Sequence, residues 1–165
     1  MPTLLLARHA QAQPFAARDH DRGLTDGGIA MARAAGAAIG ATGVPDRALV
    51  SSAARAQQTL DEAMRAGDWS CGTVTLDELY GAGPHDVVDA LGRHAGSADL
   101  VLVVGHEPWC SGLVELLTGA RVRMATATLA AMRVGPGWDA LDPSWCVLEW
   151  FAPPAVVTGL VTLAR

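Results

Sequence analysis

Short apolar runs alternate with stretches of helical periodicity along most of the chain. The first run, 4–8, is continuous and brief, the pattern of a strand buried on both faces. A polar stretch follows from His9 to Leu24. Thr25 can cap a first helical turn through its hydroxyl, which predicts a helix from there to about Gly40. Arg47–Ser51 reads as a second strand and 53–66 as a second helix, carrying Arg55. Residues 74–76 make a short strand that opens into a loop through Glu78, Tyr80 and Gly81. Pro84 suits a first helical turn and places a third helix over Pro84–His94. The clearest buried strand is 100–104, a run of branched aliphatics ending at Gly105-His106, with a fourth helix starting near Pro108. Residues 126–134 and 146–151 read as late strands, and 156–163 fits either a strand or a helix.

Strands alternating with helices predict an α/β fold: a three-layer sandwich with a mainly parallel central sheet flanked by helices. The pattern shows no internal repeat and no linker, so residues 1–165 are read as one domain. In such sheets a ligand binds outside the carboxyl ends of the strands. Three segments place a cationic or imidazole group there: Arg8-His9 after the first strand, Arg55 one turn beyond Ser51-Ser52, and His106 after Gly105. Parallel strands would gather all four side chains at one edge. Two guanidinium forks and two imidazoles suit a dianion such as phosphate, which arginine can grip bidentately.

Composition narrows the chemistry. The formal net charge of −5 argues against binding nucleic acid by phosphate neutralisation, without forbidding one local cationic pocket. Every basic side chain is arginine; lysine and asparagine are both absent, as a G+C-rich bacterial genome would favour. A P-loop lysine and a Schiff base are therefore excluded. No apolar stretch approaches the ~20 residues of a membrane span, and the N-terminus lacks the basic flank of a signal peptide, so a cytoplasmic protein is expected. Cys71, Cys110 and Cys146 form no C-x-x-C and fit reduced thiols. His106-Glu107-Pro108-Trp109-Cys110 approximates a zinc spacing, but Pro108 would interrupt the helix needed to aim both ligands, and no metal is expected.

Arg8-His9-Ala10 near the N-terminus resembles the Arg-His-Gly signature of the histidine phosphatase superfamily, which includes the phosphoglycerate mutases. The resemblance continues in order through Asp21-Arg22-Gly23-Leu24-Thr25, Leu49-Val50-Ser51-Ser52, Arg55-Ala56-Gln57-Gln58-Thr59, Leu76-Asp77-Glu78-Leu79 and Val101 to His106. It spans the first two-thirds of the chain and is nearest to the small bacterial SixA-type phosphohistidine phosphatases. The departure is Ala10 where the wider family has glycine.

This resemblance implies a phosphoglycerate mutase-like fold and hydrolysis through a phosphorylated His9. Arg8, Arg55 and His106 would stabilise the charge on the transferring phosphoryl group. Arg22 would hold the substrate or brace its loop. Ser52 would offer a hydroxyl to phosphate or cap the following helix, and the cap is favoured. Glu78 is favoured over Glu107 as proton donor to the leaving group. No cofactor is needed, since arginines supply the positive charge. His20, His85 and His94 are read as surface residues, and Trp138, Trp145 and Trp150 as packing the core or its edge. The implied substrate is phosphohistidine on a protein such as a phosphotransfer domain. The alternatives are a small phosphorylated metabolite as substrate, or a non-catalytic module that binds phosphate.

Overall fold

The computed structural model describes residues 1–163, with side chains described to 159. The strands are β1 (Thr3–Arg8), β2 (Arg47–Ser51), β3 (Gly72–Leu76), β4 (Leu100–Gly105), β5 (Leu129–Arg133) and β6 (Val147–Ala152). The helices are α1 (Asp26–Thr42), α2 (Ala54–Gly67), α3 (Pro84–His94), α4 (Trp109–Thr118) and α5 (Pro154–Leu163). The segment 156–163, readable as strand or helix, is thus helical. Thr25 caps α1 as expected, its hydroxyl accepting the Gly28 N–H at 2.9 Å.

One sheet runs in the order β3-β2-β4-β1-β5-β6. Alternation along the strands divides its side chains between two apolar layers. Leu4, Leu6, Leu49, Val101 and Val103 pack with α3 and α4. Leu5, Ala48, Val50, Leu102 and Val104 pack with α1, α2 and Val157 of α5. Continuous apolar strands are what a sheet covered on both faces requires.

The sheet is mixed, which corrects the expectation of a mainly parallel one. β3, β2, β4 and β1 run parallel, but β5 pairs antiparallel with both β1 and β6. The reason lies in residues 119–128, which carry the chain from the end of α4 back to the carboxyl ends of the parallel strands. There the Met124 carbonyl accepts from Arg8 Nη1 at 2.9 Å, and the Ala127 N–H reaches the carbonyls of Arg8 and His9. β5 therefore enters beside β1 from the opposite end. The turn at 125–128, with Ala127 at φ 58°, also shortens the strand predicted over 126–134. Of the tryptophans expected to pack, Trp138 is buried and donates to the Ala98 carbonyl, whereas Trp145 and Trp150 are exposed near and on the edge strand β6.

Helices α1 and α2 approach so closely that Gly36 lies against the Ala63 backbone, where a Cβ would overlap it. The Gly36 carbonyl also accepts the Trp69 indole N–H at 2.9 Å. Gly36→Ala is expected to lower stability by about 1–3 kcal/mol in urea unfolding, because backbone must shift. Gly81→Ala, where a Cβ meets nothing within 4 Å, serves as the neutral control.

Candidate active site

The topology delivers the site. β4 lies between β2 and β1, and Arg8 pairs with Gly105 in register. His106 is thereby set between Ser51 and His9: its Nε2 lies 2.7 Å from Ser51 Oγ, and its ring centroid is 5.0 Å from that of His9. The His9 N–H donates to the Gly105 carbonyl at 2.9 Å, tying the first turn after β1 to the end of β4.

The His9 ring has a defined tautomer on hydrogen-bond grounds. Nδ1 lies 2.7 Å from the Ala10 carbonyl, an acceptor only, so Nδ1 carries the proton. Nε2 is left with its lone pair and accepts from Arg55 Nε–H at 3.3 Å. For His106, Nε2 lies against Ser51 Oγ, which also accepts the Ala53 N–H at 3.3 Å and can donate its own proton to the ring. His106 Nδ1 is buried with no partner among the described residues, as is Arg8 Nε.

Helix α2 supports this arrangement with one face. Arg55, Gln58 and Thr59 occupy neighbouring positions at helical spacing. Thr59 Oγ1 accepts the Ala10 N–H at 3.0 Å, and Gln58 Oε1 accepts the Leu24 N–H at 2.8 Å. The Ala10 side chain is fully buried, in a small cluster with Leu24, Ala32 and Ala127.

The remaining predicted residues fall in different places. Arg22 braces its own loop, donating to Asp19 Oδ1 at 2.8 Å and to the Gln13 carbonyl at 2.9 Å. Contrary to expectation, Ser52 does not cap α2: its hydroxyl is 2.9 Å from His20 Nε2, and the N-cap position is Ala53, with no side-chain cap bond. Glu78 is paired with Arg93 Nη2 at 2.7 Å. Glu107 turns back onto its own helix, accepting from the Ser111 hydroxyl and, at 2.9 Å, from the Ser111 N–H.

Three residues that the pattern did not single out join the site. Asp19 accepts from Arg55 Nη2 at 3.1 Å and from the Tyr80 hydroxyl at 2.7 Å. Tyr80 stands edge-on to His106, with ring centroids 5.8 Å apart, and His20, read as a surface residue, packs edge-on against Tyr80 at 4.9 Å. All three lie in stretches without periodicity. The one available signal was their chemistry beside the Arg22 and Glu78 motifs.

The fold and the site define a phosphoryl-transfer enzyme of the phosphatase class. Residues 4–79 match the histidine phosphatase superfamily (branch 1), and the chain belongs to that family. An uncharacterized protein of Mycobacterium tuberculosis strain H37Rv is 34% identical over 161 residues, covering 89% of this chain and 99% of that one. A structure from Nakamurella multipartitia, named for the phosphohistidine phosphatase SixA, superposes with a TM-score of 0.84 at 32% identity. It covers 93% of this chain and 96% of its own. The protein histidine phosphatase SixA complexed with tungstate gives a TM-score of 0.80 at 26% identity, covering 93% and 97%.

Burial lowers the His9 pKa to about 4; the Ala10 bond opposes the shift, and nearby Arg55 and Arg8 add to it. Burial, then the neighbouring His9 and Arg55, lowers His106 to about 3. Both rings are therefore neutral in the folded protein where the unfolded chain, titrating near 6.5, takes up protons. Stability falls as pH drops from 6.5 towards 4, by up to about 1.4 kcal/mol per pH unit per histidine. Ring titration by NMR is expected to give midpoints near 4 and 3; midpoints near 6.5 would contradict the buried placement.

Proposed function

We propose that the protein hydrolyses phosphohistidine on a partner protein, through a phosphoryl group carried transiently by His9 Nε2. The observation that carries this reading is the His9 ring, with Nδ1–H committed to Ala10 and the Nε2 lone pair facing a guanidinium N–H. The Nε2 lone pair attacks phosphorus as the bond to the substrate imidazole breaks. Nδ1 keeps its proton, so the intermediate is a phosphoimidazolium, and water attack then releases inorganic phosphate and neutral His9. Arg55 Nε–H, Arg8 Nε–H and His106 Nδ1–H are the donors available for the three equatorial oxygens.

A histidine leaving group lessens the need for a protein acid. An imidazole titrates near neutrality and can take its proton from water before departure. That suits a site in which Glu78 is held by Arg93 and Glu107 by Ser111. The links after β2 and β4 are only Ser52-Ala53 and 106–108, too short for either to contribute a lid.

The test compares kcat/KM for a phosphohistidine-bearing phosphotransfer domain with that for a panel of small phosphomonoesters. A preference of roughly 100-fold is expected for the protein substrate, and His9→Ala abolishes turnover. Equal or better use of one small ester would move the assignment to metabolism. Retained phosphate binding without turnover would leave only a binding module. Arg55→Ala is expected to lower kcat by about 10²–10³-fold. Glu78→Gln is expected to leave phosphohistidine turnover within about 3-fold, since an imidazole leaving group needs no protein acid.

A further inference from the structure

Arg55 is almost fully buried, and all three of its guanidinium nitrogens are engaged. Two go to a single residue: Nη1 donates to the Asp19 carbonyl at 2.9 Å and Nη2 to Asp19 Oδ2 at 3.1 Å. Two contacts from one residue fix the plane of a guanidinium as well as its position. The third nitrogen, Nε, is then turned to His9 Nε2 at 3.3 Å.

Asp19 is itself held from two sides. Arg22 Nε grips Oδ1 at 2.8 Å from within the same loop, and the Tyr80 hydroxyl donates to Oδ2 at 2.7 Å from the turn after β3. The Tyr80 bond, then Arg22 and Arg55, hold the Asp19 carboxyl down to about 2. It is therefore an anion at any pH at which the enzyme would work. We infer that Asp19 is a positioning residue for Arg55, holding the Arg55 Nε–H beside His9 Nε2, where it would meet an equatorial oxygen of the phosphoryl group transferred to that nitrogen. The inference rests on the reading that His9 carries the phosphoryl group.

The alternative is that Asp19 only braces the loop. Its carboxylate is 54% exposed, whereas the Arg55 side chain, 7% exposed, keeps its Nη1 bond to the Asp19 backbone carbonyl whatever side chain stands at 19. Removal of the carboxylate is thus expected to act on the reaction more than on the fold.

The test uses Asp19→Ala, Arg55→Ala and the double variant, assayed on a chromogenic phosphomonoester with turnover defined as the His9-dependent part. Asp19→Ala is expected to lower kcat by about 10–100-fold with KM within about 3-fold, since a transition-state donor is misaimed. In the Arg55→Ala background the same substitution is expected to cost less than about 2-fold, because its effect runs through Arg55. An equal loss in both backgrounds, or unchanged or faster turnover in Asp19→Ala, would overturn the proposal. Asp19→Asn, which keeps an acceptor oxygen, is expected to recover part of the rate and guards against a folding defect. A second readout needs no turnover: the Arg55 Nε–H resonance, slowly exchanging in the wild type, is expected to vanish into solvent exchange in Asp19→Ala. Absence of His9-dependent hydrolysis in the wild type would sink the proposed function alone. Persistence of that resonance in Asp19→Ala would sink the positioning role alone.

Discussion

A histidine attacks phosphorus only through an unprotonated ring nitrogen, and the bond from His9 Nδ1–H to the Ala10 carbonyl decides which nitrogen that is. Much of the surrounding structure holds that carbonyl and ring in place. The Ala10 N–H is tied to Thr59, whose hydroxyl donates in turn to the Arg55 carbonyl at 2.6 Å. One turn of α2 thus positions both the loop bearing the proposed nucleophile and the guanidinium facing it. The His9 N–H and carbonyl are taken up by Gly105 and Ala127, so β4 and the turn leading into β5 contribute to the same ring's placement. Burial beside two arginines then keeps the ring neutral over the range in which it must act.

The departure from parallel order serves the same site. A parallel strand in the place of β5 would end, rather than begin, beside His9. Entering antiparallel, the chain first passes the carboxyl end of β1, where Met124 takes one Arg8 nitrogen and leaves Nε without a partner among the described residues. The insertion of β4 between β2 and β1 acts similarly on His106, because Ser51 at the end of β2 holds its Nε2. The order of the strands, more than any local motif, converts four scattered cationic or imidazole groups into a set of aimed donors.

Some of this was legible in the chain. Arg47–Ser51 and Pro84–His94 were readable to the residue, since one is a bounded apolar run and the other starts at proline. Arg8, His9, Arg55 and His106 were legible because each stands at a strand end or one turn beyond it. The direction of β5 was not, because alternation of side chains is identical whichever way a strand runs. Nor were Asp19, Tyr80 and His20, whose contacts join residues 32 to 61 positions apart in aperiodic loops. Ser52 illustrates the limit: a serine before a helix is a good cap by propensity, and a tertiary contact with His20 displaced that role.

Ala10 shows how a departure from a motif can be absorbed by the packing around a site. Glycine is indispensable where φ is positive or where a Cβ would strike backbone. Ala10 is not among the positive-φ residues, and its methyl lies in an apolar cluster with Leu24, Ala32 and Ala127 rather than in the pocket. Its main chain makes the two bonds that matter, N–H to Thr59 and carbonyl to His9. A methyl group directed into small apolar neighbours adds packing without narrowing the approach to Nε2, on the other side of the ring from the Ala10 bond. In the proposed chemistry, what residue 10 supplies is its backbone, and its methyl lies in the apolar cluster.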